Sequence, residues 1–445
     1  CEDVTMSHLH SASRRARRLA ASTVAVATMV AGLPALASAQ EAPVTPAVTA
    51  DPADTAAAEA NATAAPTTNG LAELKKEEYG DKAYEKWRGR IGGYRQVPAT
   101  NEAGEVIKGE DGEPKLVREI EKGPGNQQRY VYATGSVVDR VSVYQAVSPS
   151  MSRTIPLVVI HATEPNRPTL YVLNGGDGGE GSANWIMQTE MIDFYKQKNI
   201  NVVVPMEGKF SYYSDWVNKK DDLGGKQMWE TFLTKELPPV MEKELNANDK
   251  RAITGMSMSA TTVLLYAQHH PGFYDAIGSF SGCAQTNDSM GRIAIDLTLD
   301  RANSNVNEMW GNGEAFQPGF ADAPIDNYLQ YNDALVNAEK LRGQTMYISN
   351  ASGLSGRWDY WSSPRTRGNS AAMAEVEVVG GVIEGATNFC THQLKAKLDK
   401  AGIPADWNFR PVGTHQWGYW EDDMHLSWPT LARGMGIEDE ITPES

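Results

Sequence analysis

The chain of 445 residues contains very little cysteine and has no excess of basic residues. Three cysteines are too few to hold a small fold together by a network of disulfides. The 41 lysine and arginine residues face 56 aspartate and glutamate residues, and the formal net charge of -15 argues against a broad nucleic-acid-binding surface. A hydrophobic fraction of 41% is enough for a sizeable core, so the chain as a whole is not disordered.

The N-terminal segment has the pattern of an export signal. Clustered arginines precede an uncharged run over residues 19–40, and the run contains the small-x-small cleavage pattern ASA at residues 37–39. We therefore expect residues 1–39 to be a cleaved signal peptide and the protein to be secreted to the cell envelope. The competing interpretation is a membrane anchor, because about 20 apolar residues can span a bilayer. Export would place Cys283 and Cys390 in an oxidising compartment, where we expect them to form a disulfide.

Composition divides the remainder into three segments. Residues 40–70 are mostly Ala, Pro, Thr, Asp and Glu without an aromatic side chain, which predicts a disordered linker. Residues 71–126 form an N-terminal extension of unknown role, in which Leu71–Trp87 has the spacing of a charged surface helix. The acidic stretch within it lacks the ligand spacing of a calcium loop, and we expect no metal site. Residues 127–440 are predicted to form one domain.

Short apolar runs alternate with helical segments throughout this domain. Such repetition predicts an α/β fold with a mostly parallel central sheet flanked by helices. The predicted strands lie within residues 129–147, 154–162, 169–173, 200–205, 251–254, 276–281, 345–349 and 406–412.

A serine follows one of these strands in the segment RAITGMSMSATTVLLYAQ, residues 251–268. A short β run, a tight turn centred on Ser257 and a helical stretch form the context of a nucleophile elbow. The residues two places to either side must be small, and Gly255 and Ser259 satisfy this, although Ser259 replaces the usual glycine. The competing interpretation is an ordinary loop-to-helix junction with Ser257 as N-cap.

Two backbone N–H groups are candidates to stabilise an oxyanion beside this serine. Met258 begins the helix after Ser257, and Gly176 lies in the glycine loop that follows the strand in TLYVLNGGDGGE. Glycine loops after strands also bind phosphates. This one has neither the GxGxxG spacing of a dinucleotide site nor a Walker lysine, which favours the oxyanion role.

A serine nucleophile requires a base, which in this fold follows it in the chain, with an acid between them. His415 lies directly after a β run, in the loop Gly413 to Trp417, and is the predicted base. His161 precedes the serine, and His269 and His270 are predicted to face solvent. Spacing alone leaves the acid open among five carboxylates: Asp359, Glu375, Glu377, Glu384 and Asp406.

From Tyr130 to Met435 the chain resembles the antigen 85 mycolyltransferases of mycobacteria and, more closely, the secreted mycolyltransferases of corynebacteria. The matching segments occur in the same order along the chain. They are YVLNGGDGGEGSANW, VVVPMEGKFSYYSDW, WETFLTKELP, ITGMSMSATTVLLYA, VIEGATNFC and FRPVGTHQWGYW.

The resemblance implies an α/β-hydrolase fold and a role for each matching position. Ser257 would be the nucleophile, His415 the base and Glu384 the acid, and the oxyanion donors would again be Met258 and Gly176. Asn174 and Asp177 replace the Asp and Arg that hold the glycolipid head in the mycobacterial enzymes, whereas Trp417 keeps the family's tryptophan. The resemblance thus makes Asn174, Asp177 and Trp417 the candidate substrate-binding residues.

The implied activity is transfer of a mycolic acyl chain from trehalose monomycolate, through an acyl-enzyme, to a hydroxyl acceptor. The acceptor would be trehalose monomycolate, arabinogalactan or an envelope protein, and no cofactor is implied. We expect contact with envelope glycolipids and none with nucleic acid. A secreted esterase acting on a smaller acyl ester and a catalytically silent envelope adhesin remain as alternatives.

Overall fold

The computed structural model describes residues 70–76, 94–98, 108, 116–120, 140–181, 183–363, 365–366 and 370–440. The predicted signal peptide and all of the predicted linker except Gly70 lie outside these residues.

Nine strands form one sheet in the order β1-β4-β5-β7-β6-β8-β9-β10-β11, and β2 and β3 pair antiparallel in a second sheet. The five pairings from β7 to β11 across the sheet are parallel, whereas β1, β4 and β5 form an antiparallel edge that joins β7. The mostly parallel sheet predicted from the sequence is therefore confirmed. The strands are β1 Glu73–Lys76, β2 Tyr94–Pro98, β3 Leu116–Ile120, β4 Val141–Ser148, β5 Arg153–Ile160, β6 Thr169–Val172, β7 Asn201–Pro205, β8 Arg251–Met256, β9 Ala276–Phe280, β10 Thr345–Ala351 and β11 Asp406–Arg410.

Helices connect the parallel strands and cover the sheet. Two π-helical turns, Phe232–Glu236 and Glu375–Gly380, border α-helices. The α-helices are α1 Trp185–Gln188, α2 Met191–Lys196, α3 Trp229–Thr231, α4 Pro238–Glu244, α5 Met258–His269, α6 Ser289–Leu299, α7 Val306–Trp310, α8 Tyr328–Tyr331, α9 Ser370–Ala374, α10 Gly381–Ala401 and α11 Trp417–Gly434. Short 3-10 helices lie at Asp221–Leu223, Asp300–Ala302, Ala338–Leu341 and Glu438–Glu440.

Both faces of the sheet are buried, because successive side chains along a strand point to opposite faces. Along β5, Leu157 and Val159 belong to one apolar cluster, and Val158 and Ile160 belong to the other. The first cluster includes side chains of α4 and α5, and the second includes side chains of α1, α2 and α11. Burial on both faces explains the continuous apolar runs from which the parallel strands were predicted.

The order of strands reverses between β6 and β8. β7 follows β6 in the chain and lies on one side of it, whereas β8 lies on the other side. In open α/β sheets such a reversal leaves a crevice at the carboxyl ends of the strands. The loop with Gly176 follows β6, and Ser257 follows β8, so the topology brings two predicted site segments to one crevice.

The predicted helix over Leu71–Trp87 is wrong at its start, and its remainder lies outside the described residues. Glu73–Lys76 is strand β1, which pairs antiparallel with β4 in the register Glu73 to Val147. The free edge of β4 offers backbone partners to an extended chain. Just before β1, the Ala72 N–H also donates to the Glu236 carbonyl, at 3.0 Å. The start of the predicted extension therefore pairs with the main sheet.

Among the described residues, no helix combines the length and apolar character that crossing a membrane would require.

Candidate active site

Ser257 occupies the tight turn between β8 and α5. Its backbone has φ 56° and ψ -120°, a combination that non-glycine residues rarely adopt and that occurs mainly where function requires it. The Ser257 N–H donates to the Phe280 carbonyl of the neighbouring strand at 2.9 Å. The Ser257 side chain makes no capping hydrogen bond to α5, so the alternative of a simple N-cap finds no support.

The residues two places from Ser257 close this turn. A Cβ at Gly255 would lie 2.5 Å from the Ser259 carbonyl oxygen, so a larger residue does not fit there. Ser259 is completely buried, and its Oγ accepts a hydrogen bond from the Met256 N–H at 3.0 Å. The serine that replaces the usual glycine is thus accommodated because its hydroxyl bonds to the turn.

His415 and Glu384 complete a line of hydrogen bonds that begins at Ser257. His415 Nε2 lies 2.7 Å from Ser257 Oγ, and His415 Nδ1 lies 2.8 Å from Glu384 Oε2. His415 is in the loop after β11, and Glu384 is in the first turn of α10. Ser257 lies 158 positions before His415 in the chain, and Glu384 lies 31 positions before it. The three residues therefore meet at the carboxyl ends of the parallel strands although they are distant in sequence.

Glu384 is completely buried, and several groups support its carboxylate. Its Oε1 accepts hydrogen bonds from the Ser281 hydroxyl at 2.8 Å and from the Ala351 N–H at 2.7 Å. Arg410 Nη2 lies 3.9 Å from the same oxygen. These partners offset the burial of the Glu384 carboxylate, and its other oxygen faces His415.

The other carboxylates that the sequence left open have different partners or positions. Asp359 is completely buried and bonds to the residues on either side of His415. Asp406 accepts hydrogen bonds from Thr430 and Arg433, on α11. Glu375 lies exposed in the π-helical turn before α10.

His269 and His270 do not face solvent as predicted. The side chain of His269 is fully buried, with Nδ1 2.8 Å from Glu230 Oε1 and Nε2 3.0 Å from the Tyr331 carbonyl. His270 Nε2 lies 2.8 Å from the same Glu230 oxygen. A buried carboxylate requires such partners, and the sequence contained no local pattern that linked Glu230 to the end of α5.

The two predicted oxyanion donors lie beside the serine turn. Met258 is the first residue of α5, where backbone N–H groups have no acceptor within the helix. The loop after β6 approaches the same turn, because a Cβ at Gly175 would lie 2.8 Å from Met256 Sδ. The Gly176 carbonyl accepts a hydrogen bond from the Phe210 N–H at 2.8 Å. The role of the Met258 and Gly176 N–H groups stays a prediction.

Two of the three predicted substrate contacts, Asn174 and Asp177, make hydrogen bonds in and around the loop after β6. Asn174 is completely buried, donates to the Pro205 carbonyl at 2.9 Å and accepts from the Trp185 N–H at 3.0 Å. Asp177 accepts from the N–H groups of Gly179 at 2.9 Å and Ala183 at 3.1 Å. Contact of Asn174 and Asp177 with a substrate stays a prediction.

Burial raises the pKa of Asp177 to about 6, against the opposing effect of these N–H donors.

Trp417, the third predicted contact, is half-buried at the start of α11. Its ring lies edge-on to Trp185, with centroids 5.5 Å apart, and edge-on to Trp420, with centroids 5.2 Å apart. The Trp420 indole N–H donates to the Ser281 hydroxyl that supports Glu384. Contact between Trp417 and a substrate stays a prediction.

A cleft opens over Ser257 and His415, with about 470 Å³ of empty space including open solvent. Side chains of α6 and α10 form its sides, among them Ala294, Ile295 and Ile383. This lining is largely apolar and therefore suits an acyl chain better than a charged ligand.

The predicted disulfide between Cys283 and Cys390 is present, with Cα atoms 5.0 Å apart. It joins the segment after β9 to α10, the helix that carries Glu384.

No group of three or more histidine, cysteine, aspartate or glutamate side chains in the described part of the chain could hold a metal ion.

The sheet is mostly parallel, and a serine with a strained backbone follows β8. This serine lies next to a histidine that follows the last strand, and the combination defines an α/β hydrolase. The chain matches the esterase family over residues 148–429 and belongs to that family. Membership of this family indicates an enzyme of the esterase or acyltransferase type.

Mycobacterial acyltransferases are among the relatives of this chain. The chain is 28% identical over 307 residues to the diacylglycerol acyltransferase/mycolyltransferase Ag85A of Mycobacterium tuberculosis, covering 68% of this chain and 84% of the relative. It is 27% identical over 312 residues to Ag85B of Mycobacterium leprae, covering 67% and 86%. The solved structure of MPT51 of Mycobacterium tuberculosis aligns with a TM-score of 0.49 at 21% identity, covering 65% of this chain and 96% of that one. The predicted resemblance to the antigen 85 proteins is confirmed.

Proposed function

We propose that this enzyme transfers a mycolic acyl chain from trehalose monomycolate to a hydroxyl acceptor, through an acyl-enzyme on Ser257. The observation that carries the proposal is the continuous line of hydrogen bonds from Ser257 through His415 to Glu384 beneath a largely apolar cleft. The names of the mycobacterial relatives support the choice of acyl group.

In the first half-reaction, Ser257 Oγ attacks the carbonyl carbon of the donor ester while His415 Nε2 accepts the hydroxyl proton. Glu384 stabilises the imidazolium that forms, and the N–H groups of Met258 and Gly176 stabilise the oxyanion. The tetrahedral intermediate then collapses, and trehalose leaves with the proton from His415. The product is an ester of the acyl chain with Ser257.

In the second half-reaction, the acceptor hydroxyl gives its proton to His415 and attacks the acyl-enzyme carbonyl. The tetrahedral intermediate collapses, the new ester leaves, and Ser257 recovers its proton from His415. Transfer requires that water compete poorly for the acyl-enzyme, and the apolar sides of the cleft, including Ile295 and Ile383, support such exclusion. The acceptor is trehalose monomycolate, arabinogalactan or an envelope protein.

We further propose that the enzyme acts in the cell envelope after export. The disulfide between Cys283 and Cys390 supports this location, because such bonds persist in oxidising compartments.

The test is incubation of the purified protein with trehalose monomycolate, followed by separation of trehalose dimycolate from free mycolate. We expect dimycolate from the wild-type protein and neither product from Ser257→Ala. Ser289→Ala, at the exposed start of α6, serves as the matched control and should keep wild-type activity. Free mycolate as the sole product would contradict transfer and support the esterase alternative. If a serine-reactive probe fails to label Ser257, the silent adhesin becomes the better interpretation.

A further inference from the structure

Asp359 is a buried carboxylate that the proposed reaction does not use directly. It lies in the loop after β10, and its side chain is completely buried. Its Oδ1 accepts hydrogen bonds from the Thr414 hydroxyl at 2.6 Å and from Gln416 Nε2 at 2.9 Å. Its Oδ2 accepts from the Gly356 N–H at 2.7 Å and from the Tyr419 hydroxyl at 2.6 Å. One carboxylate thus receives four donors.

Two of these donors belong to the immediate chain neighbours of His415. Thr414 precedes the proposed base and Gln416 follows it, so the backbone on both sides of His415 is tied to the same buried group. The His415 N–H itself donates to the Gly380 carbonyl at 3.1 Å. These bonds hold the loop that keeps the imidazole within hydrogen-bond distance of both Ser257 and Glu384.

We propose that Asp359 is a positioning residue, which fixes the loop of His415 so that the imidazole stays aligned between Ser257 and Glu384. This inference rests on the proposed function, in which His415 is the base. Alignment matters because a displacement of about 1 Å at a reacting group can lower a rate by about a hundredfold.

A carboxylate is specifically required at this position. An ionised aspartate has only acceptor sites, about four of them, and can satisfy four donors at once. The asparagine amide has one oxygen and one NH2 group. Because the Gly356 backbone N–H can only donate, the amide oxygen of the Asp359→Asn variant should stay on the side of Gly356 and Tyr419. Its NH2 group should then face Thr414 and Gln416, so the substitution should loosen the side that holds the neighbours of His415.

The competing explanation is that Asp359 merely joins its loop to α11. Asp422 provides a matched control, because it joins the same two segments without touching the neighbours of His415. Its carboxylate accepts from Arg357 Nη2 at 2.5 Å and from the Trp358 indole N–H at 2.9 Å.

The experiment compares Asp359→Asn and Asp422→Asn by steady-state hydrolysis of a soluble p-nitrophenyl ester and by thermal unfolding. For Asp359→Asn we expect kcat to fall about 10- to 100-fold while KM stays within about twofold, since the base moves but the cleft does not. For Asp422→Asn both constants should stay within about twofold of the wild-type values. Equal losses in the two variants would overturn the proposal.

A double-mutant cycle separates positioning of the base from general support of the fold. In a His415→Ala background, Asp359→Asn should cause no further loss of the residual activity, because the residue it positions is already absent. A full additional loss in that background would contradict the proposal. If Asp359→Asn fails to fold, Thr414→Val replaces it in the same cycle, with about a three- to tenfold lower kcat expected from the loss of one hydrogen bond.

The outcomes also separate this inference from the proposed function. A wild-type protein that a fluorophosphonate does not label at Ser257 would refute the proposed function. If the fluorophosphonate labels Ser257 of the wild-type protein and the Asp359→Asn variant is as active as the wild type, only the positioning role is refuted.

Discussion

Replacement of Glu384 by glutamine is the sharpest test of the proposed mechanism. The substitution preserves the shape of the side chain and removes its charge. The Ser281 hydroxyl and the Ala351 N–H both donate to Glu384 Oε1, so the amide oxygen of the variant should take that position. The amide NH2 group then faces His415 Nδ1, where the wild-type protein has Oε2 at 2.8 Å.

This arrangement changes the tautomer of the His415 imidazole. Facing an N–H donor, His415 Nδ1 must act as the acceptor, and the proton of the neutral ring moves to Nε2. Nε2 lies 2.7 Å from Ser257 Oγ and, once protonated, cannot take the proton of the hydroxyl. The variant also lacks the carboxylate that would stabilise an imidazolium.

The expected loss follows from the burial of the pair. Without the carboxylate, the imidazolium that forms in the transition state has no buried counter-charge, and each loss of about 1.4 kcal/mol of transition-state stabilisation lowers the rate about tenfold. We therefore expect Glu384→Gln to lower kcat about 10²- to 10⁴-fold. KM should change little, because the carboxylate is completely buried behind the histidine.

The assay is kcat for a soluble p-nitrophenyl ester, together with the rate of covalent labelling by a fluorophosphonate. Glu375→Gln is the matched control, since Glu375 is exposed in the π-helical turn that precedes α10 and should be dispensable. Thermal unfolding of each variant checks the fold. If a folded Glu384→Gln variant works within about tenfold of the wild-type rate, the role assigned to Glu384 is refuted.

Three further predictions concern the serine turn, the disulfide and a buried acid. Gly255→Ala would place a Cβ 2.5 Å from the Ser259 carbonyl, so we expect loss of most activity and about 1–3 kcal/mol lower stability, measured by urea unfolding. Reduction of the bond between Cys283 and Cys390, or Cys390→Ser, should lower the free energy of unfolding by about 2–5 kcal/mol; an unchanged melting temperature in dithiothreitol would contradict this. Burial raises the pKa of Asp215 to about 7, and the charge of the neighbouring Glu230 adds to this effect. Between about pH 4 and pH 7 the folded protein therefore keeps a proton on Asp215 that the unfolded chain releases. That contribution to stability is present at low pH and is lost as the pH rises through about 7, and Asp215→Asn should remove it from urea unfolding curves collected across this range.

Local patterns predicted the elements and the serine turn better than the partners of buried polar groups. The strand-turn-helix pattern around Ser257 was sufficient because the turn depends on residues within two positions of the serine. His269 and His270 were predicted to face solvent because α5 gave no indication of Glu230, which is 39 and 40 positions away. The Asn174 amide bonds to backbone on two other segments, and no local pattern indicated these partners.

The start of the domain shows the same limit. The charged sequence of Glu73–Lys76 suits an exposed helix or an exposed edge strand equally well, and only the free edge of β4 decides for the strand.

The sequence by itself determined the α/β order of elements, the serine turn, the position of a histidine after the last strand and the resemblance to the antigen 85 proteins. These features depend on short-range periodicity, on turn chemistry and on motifs that are continuous in the chain. Spacing alone left open which carboxylate lies behind His415, and the resemblance implied Glu384. The tertiary structure places Glu384 against His415 Nδ1 and Asp359 against the chain neighbours of that histidine. The choice depends on how α10 and the loop after β10 pack at the end of the sheet. Such packing places groups that are distant in the chain within hydrogen-bond distance of each other, and no local pattern specifies it.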